Sequence, residues 1–221
     1  MIAEEMINHM IPPLKLADDA HKAIVWMDEF RCNYFPVVDN GKLMGFISEE
    51  IILESNDVER RLGSFELVGK DCFVSLESHI YDILRVASEH KLQIVAVLNE
   101  DQHYEGVITI QDIMTAFAQM AAVHMQGGIL VLSMDLIDYS LAEISRLVEE
   151  NKAKIISSTM MEDPMDKGKI KLIIKVNQID MSRIVATLER FGYRIIGRYQ
   201  ETRVESDDKE RLDMLLRYLN I

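Results

Sequence analysis

The chain has 221 residues, 48% of them hydrophobic and 28% charged, with a formal net charge of −13. That balance suits one large globular domain or two smaller ones. The acidic surplus, without any basic stripe, argues against a nucleic-acid partner, because polyanion binding relies on clustered Lys and Arg. Cys32 and Cys72 stand far apart with no CxxC or Cys–His spacing, so both read as buried free thiols rather than a disulfide or zinc site. The opening residues lack the basic start and apolar core of a signal peptide, and no apolar run reaches membrane-spanning length. A cytoplasmic protein without membrane contact is expected.

In chain order, Leu14-Lys15-Leu16-Ala17-Asp18 reads as a short alternating strand followed by a helix start. Val74-Ser75-Leu76-Glu77-Ser78 repeats it about sixty residues later. The helix over residues 18–30 places Ala20, Ala23, Ile24, Met27 and Phe30 on one face, and Trp26 on this helix is expected to pack in an interface. Its counterpart, capped by Ser78, aligns Ile80, Ile83, Leu84 and Ala87. The strand Tyr34-Phe35-Pro36-Val37-Val38-Asp39 pairs with Ile94-Val95-Ala96-Val97-Leu98-Asn99 at the same offset. Hairpin turns follow at Asn40-Gly41 and Asn99-Glu100-Asp101, the second one residue longer. Gly45-Phe46-Ile47-Ser48 then matches Gly106-Val107-Ile108-Thr109. Each unit therefore predicts strand, helix, strand, hairpin, strand, helix. The polar residues 54–69 connect the two. The closing helix of the second unit carries Ile110, Ile113, Met114, Phe117 and Ala121 as an apolar stripe, expected in the core or a dimer seam.

The stretch from Gly106 to Asp112 holds the candidate site. Thr109 falls at the N-cap of the closing helix, and Asp112 lies in its first turn. A helix N-terminus offers unpaired N–H groups and the positive end of a dipole, which suits a phosphate. The Thr109 hydroxyl could bond that phosphate, and the Asp112 carboxylate could accept from the two hydroxyls of a ribose. Thr-x-x-Asp is equally close to a capping box, which only secures the helix start.

Two tandem units with Pro-Val-Val-Asp and Gly-x-x-Thr/Ser signatures resemble a CBS-domain pair, or Bateman module, over residues 1–122. The resemblance implies clefts between the two repeats that bind adenosine-containing ligands: AMP, ADP, ATP or S-adenosylmethionine. It carries the phosphate role to Thr109 and the ribose role to Asp112. Adenine is then expected among apolar residues such as Val74, Leu92 and Ile94. In the first repeat Ser48 stands for the threonine, but the aspartate position is Ile51, and Glu50 lies about 100° away around the helix. At most one well-formed ribose cleft is implied, with Glu49 and Glu50 repelling phosphate from the other.

After Gln126-Gly127-Gly128 the pattern changes to strand (129–134), helix (140–151), strands (154–161 and 169–176), a helix capped by Asp180, and a final strand (193–199). Gly192 suits the C-terminal cap of that second helix. This βαββαβ order predicts the ferredoxin-like split-βαβ architecture. The segment resembles an ACT domain, although Tyr139 and Ser140 stand where that family's ligand turn has glycine. Regulatory proteins of the acetoin-utilisation B type join a CBS pair to an ACT domain in this order. The expected organisation is a first CBS repeat at residues 1–60, a second at 61–125, an ACT-like domain at 126–202 and an acidic helix at 203–221. That helix would be capped by Ser206, with Leu212, Leu215, Leu216 and Leu219 as its stripe.

The six histidines show no metal spacing, and no nucleophile elbow, Walker loop or dinucleotide fingerprint is present. The fold expectation is thus α/β (α+β): tandem CBS repeats plus an ACT-type domain. The functional expectation is a non-enzymatic, homodimeric regulatory module that needs no cofactor and binds an adenosyl ligand, signalling to an unknown protein partner. A ligand-free interaction scaffold and an amino-acid-responsive regulator are the alternatives. A polar pocket opposite residues 137–140 would favour the last.

Overall fold

The computed structural model describes residues 1–200, so the helix expected over 203–221 lies outside the described residues. The chain divides into two compact units between Ala118 and Gln119.

In the first unit, α1 (Ala20–Phe30), β1 (Tyr34–Asp39), β2 (Lys42–Ser48) and α2 (Glu49–Ser55) form one repeat. The second is β3 (Phe73–Ser75), α3 (Ile80–His90), β4 (Ile94–Leu98), β5 (Tyr104–Thr109) and α4 (Ile110–Met120). The internal repeat extends to local geometry. Helices α1 and α3 both end on a left-handed residue, Arg31 (φ 53°) and Lys91 (φ 54°). Both hairpins shift register at the same place, between Val37 and Val38 and between Val97 and Leu98. Leu14 makes a parallel bridge to Val37, and Val74 pairs in parallel with Val97. One local expectation is corrected. The N-cap of α3 is His79, whose Nδ1 accepts from the Tyr81 amide at 3.3 Å, because the Ser78 hydroxyl is turned back to the Ser75 amide at 3.1 Å. Trp26 packs beside Phe30 and Phe35 of its own repeat, at ring separations of 6.4 and 5.9 Å, with Lys22 over its face.

The segment ahead of each repeat crosses to the other. Residues 2–8 lie along the second repeat: Ile2 bridges His79, Ala3 N–H donates to Ser78 O, and Asn8 N–H donates to Val107 O at 2.8 Å. Residues 61–68 lie along the first repeat in the same manner: Arg61 bridges Asp19, Leu62 N–H donates to Asp18 O, and Val68 N–H donates to Phe46 O at 2.9 Å. One hydrophobic cluster consequently runs through both repeats and both arms, including Ala3, Phe35, Phe46, Leu62, Ile80 and Val107. Burying apolar surface shared between the repeats makes them one cooperative core.

The second unit contains β6 (Gly128–Asp135), α5 (Leu141–Glu150), β7 (Ile155–Glu162), β8 (Lys169–Val176), α6 (Ser182–Arg190) and β9 (Arg194–Gln200). Its antiparallel sheet has the order β7-β8-β6-β9, the strand arrangement of a split-βαβ fold. Alternate residues Leu130, Leu132 and Met134 of β6 face Ile144, Leu147, Ile184 and Leu188 of the helices in a second core. The Ser140 hydroxyl caps α5 by accepting from the Glu143 amide, and Gly192 (φ +88°) follows α6. The fold is mixed α/β. No helix among the described residues is long and apolar enough to cross a membrane.

Candidate functional site

The hairpin of the second repeat delivers Thr109 to the end of β5, opposite Ile94 at the start of β4. Gly106 in that strand has an ordinary φ, yet a Cβ there would lie 2.4 Å from Ile7 Cγ2. This glycine serves the close approach of the crossing arm rather than a turn. At the strand–helix junction Thr109 is buried and Asp112 half-buried.

The capping box forms in full. Thr109 N–H donates to Asp112 Oδ2 at 2.9 Å, the Thr109 hydroxyl donates to the same oxygen at 2.6 Å, and Asp112 N–H donates to Thr109 Oγ1 at 3.2 Å. Ile110 N–H is taken by Gln93 O at 2.9 Å. Of the first-turn donors, the Gln111 amide alone has no partner among the described residues. The helix start is therefore less open to an anion than an uncapped N-terminus.

A cavity of about 690 Å³ opens beside this box, within the range of small-molecule sites. Its lining joins Thr109, Ile110, Gln111 and Asp112 to Gln93 and Ile94, to Asn8, Met10 and Ile11 of the first arm, and to residues from Glu29 through Tyr34. Arg31 is placed there by the left-handed C-cap of α1 and makes no ion pair among the described residues. Asn8 Nδ2 donates to Asp112 Oδ2 at 3.4 Å. Cys32, only half-buried, also lines the cavity. Burial, then the Asp112 charge, pushes its thiol upward and keeps it neutral.

Of the residues singled out in the sequence, Thr109, Asp112 and Ile94 meet in this cavity. Ser48 lines a different one, of about 370 Å³, with Glu49, Glu50 and Glu54. There the Ser48 hydroxyl accepts from Ile51 N–H at 3.2 Å, half of a capping box whose other half requires a carboxylate. Val74 and Leu92 line neither cavity. Val74 is buried in the core through its pairing with Val97, and Leu92 packs its Cδ1 over Gly69. Asn8, Met10, Ile11 and Arg31 had no signal in the sequence, since the arm reaches the site only by crossing between repeats. In the second unit, a polar cavity of about 460 Å³ is lined by Asp135, Asp138, Glu143, Lys169, Tyr193 and Arg194. The Tyr193 hydroxyl donates to Glu143 Oε2 at 2.7 Å, and burial and that carboxylate push the phenol up to about 12. Among the described residues no group of three or more His, Cys, Asp or Glu is arranged to hold a metal ion.

Residues 66–119 match the family model of the CBS domain. Among solved structures, the chain is similar to a CBS domain pair/ACT domain protein from Thermotoga maritima, with a TM-score of 0.50 at 20% identity over 54% of this chain and 98% of that one. It is also similar to an acetoin utilization protein from Vibrio cholerae (TM-score 0.49, 20% identity, 56% and 95% covered). A third similar structure is CBSX2 in complex with AMP (TM-score 0.47, 17% identity, 53% and 96% covered). At 20% identity the likeness to the Thermotoga maritima protein shows the fold.

Proposed function

We propose that the chain is a non-enzymatic regulatory module that binds an adenosine nucleotide in the cavity between Thr109, Asp112 and Arg31. The observation that carries this reading is the meeting, in one cavity of about 690 Å³, of a carboxylate, a guanidinium with no ion pair among the described residues and an apolar wall at Ile94. Asp112 receives the ribose hydroxyls at Oδ1, Arg31 meets the phosphate, and the base lies against apolar side chains. The match of residues 66–119 to the CBS domain supports the same assignment. The acidic lining of the Ser48 cavity and the apolar Ile51 favour one ligand per chain.

The module works as a cytoplasmic homodimer and passes its ligand state to a protein partner. Exposed apolar residues Ile110, Met114 and Phe117 along α4 support a subunit contact. The ligand shifts the assembly only to the extent that it binds one arrangement better than another.

Calorimetric titration of AMP, ADP, ATP and S-adenosylmethionine into the wild type and Asp112→Ala tests the reading. Saturable binding of one nucleotide at one site per chain, weakened at least about tenfold by Asp112→Ala, supports it. No binding up to millimolar concentrations sinks it.

A second reading attaches to the polar cavity of the ACT-like unit. It offers cations (Lys169, Arg194) and anions (Asp135, Asp138, Glu143) together, the complement of an amino-acid zwitterion. Thermal shifts across the twenty amino acids, compared with Arg194→Ala, decide it: a shift lost in the variant supports the reading, and no shift with any of them removes it.

A further inference from the structure

The two crossing arms differ in one respect. Both dock by the same backbone bond, Asn8 N–H to Val107 O at 2.8 Å and Val68 N–H to Phe46 O at 2.9 Å. Both pass over a glycine: a Cβ on Gly106 would meet Ile7, and a Cβ on Gly45 would meet Leu67 and Val68. Among the described residues, the first arm alone adds a polar side-chain contact to the helix start of the repeat it crosses. Asn8 Oδ1 accepts from Met10 N–H at 3.1 Å, which fixes the orientation of the amide, and Nδ2 then donates to Asp112 Oδ2. At the corresponding places of the other arm and repeat stand Val68 and Ile51, neither able to make such a bond. Since Val68 docks its arm without a polar partner, docking does not require the Asn8–Asp112 contact. Its effect falls on the carboxylate.

Together with the two bonds from Thr109, Asn8 brings the donors on Asp112 Oδ2 to three, while Oδ1 has none among the described residues. We propose that Asn8 is a positioning residue for Asp112: it pins Oδ2 against the helix start and presents Oδ1 to the cavity for the ligand's hydroxyls. The inference rests on the nucleotide reading above for its consequence, but the pinning itself is a property of the protein alone. Carboxylate rotation is then restricted before binding, and a preorganised acceptor loses less entropy when a ligand arrives.

The test is Asn8→Val, which copies the Val68 arrangement. Hydrogen exchange followed by NMR on the full chain, without nucleotide, reads two amides. The Thr109 amide, which donates to Asp112 Oδ2, should lose protection severalfold, while the amide at position 8, bonded to Val107 O, keeps its wild-type protection. With AMP added, Kd should rise about fivefold, the size of one hydrogen bond. In an Asp112→Ala background the same substitution should change nothing further. Unchanged Thr109 protection, or an equal loss at position 8, overturns the proposal, the second because it would mean that Asn8 only holds the arm. If the wild type binds none of AMP, ADP, ATP and S-adenosylmethionine, the nucleotide reading is what falls, and the exchange data still decide the positioning role.

Discussion

The Thr109 hydroxyl lies 2.6 Å from Asp112 Oδ2 and donates its proton to that oxygen. The side chain expected to bond a phosphate and the one expected to bond a ribose are thus bonded to each other. A phosphate that takes the Thr109 hydroxyl proton must first open this contact, so nucleotide binding and helix capping compete for the same group. Arg31, which makes no ion pair among the described residues, is the better-placed first contact for a phosphate.

The shared cap predicts a non-additive pair. Thr109→Ala and Asp112→Ala should each lower the stability of the first unit by about 1 kcal/mol, the usual cost of an N-cap. The double variant should cost clearly less than the sum, because each substitution removes the same reciprocal bonds. Trp26 is the single tryptophan and lies in this unit, so its fluorescence in a urea titration reports the right transition. Strict additivity would argue against the box as a unit.

The first repeat lacks a carboxylate at Ile51, yet supplying one should not create a second nucleotide site. Ile51→Asp places an acid beside Glu49, Glu50 and Glu54, and like charges there oppose a phosphate. Calorimetric stoichiometry should stay at one AMP per chain in Ile51→Asp. A second site appearing in that single variant would show that the acidic lining is not what closes it.

The two glycines under the arms should differ in tolerance. Gly45 has φ +130°, and a Cβ there would lie 2.9 Å from the Val68 carbonyl oxygen, so Gly45→Ala meets backbone as well as torsional strain. A cost of about 1–3 kcal/mol is expected. Gly106→Ala meets the Cγ2 methyl of Ile7 but no backbone atom under 3 Å and no positive φ, and should cost less. Thermal melts monitored through Trp26 rank the two, and a greater loss for Gly106→Ala would reverse the argument.

Alkaline pH should weaken the first unit. Burial pushes the Cys72 thiol from 9.0 up to about 12 and also raises the Tyr104 phenol, whose hydroxyl is buried without a partner among the described residues. A raised folded-state pKa means the unfolded chain loses its proton first. Stability is then intact below about pH 9 and falls as pH rises from there toward 12. Cys72→Ala should flatten part of this fall, with the Tyr104 contribution remaining. Urea midpoints at pH 8 and 10.5 measure it, and an unchanged slope in Cys72→Ala would remove the thiol from the account.

Local pattern carried much of the architecture. The periodicity of α1 and α3, the two hairpin turns and the Gly-x-x-Thr/Ser repeat were legible because each depends on residues near in sequence, where a 3.6- or 2-residue period leaves a mark. The strands of the second unit were legible for the same reason, and strand β8 falls on the expected residues 169–176. The absence of a carboxylate at Ile51 was also legible from residue types alone.

Residues close together in the chain thus account for the repeat, the order of elements and the pair Thr109 and Asp112. What surrounds that pair depends on packing across the fold. The contact from Asn8 to Asp112 spans 104 positions and has no period or spacing to announce it. Its existence depends on the arm crossing between repeats, and that crossing follows from the burial of Ala3 and Met6 against the second repeat and from the space that Gly106 leaves for Ile7. Arg31 enters the cavity because a left-handed residue turns the chain at the end of α1, while Val74 is withdrawn into the core by its pairing with Val97. Non-local packing selects which side chains share a cavity, because burial energy depends on surfaces brought together in space and not on their separation along the chain.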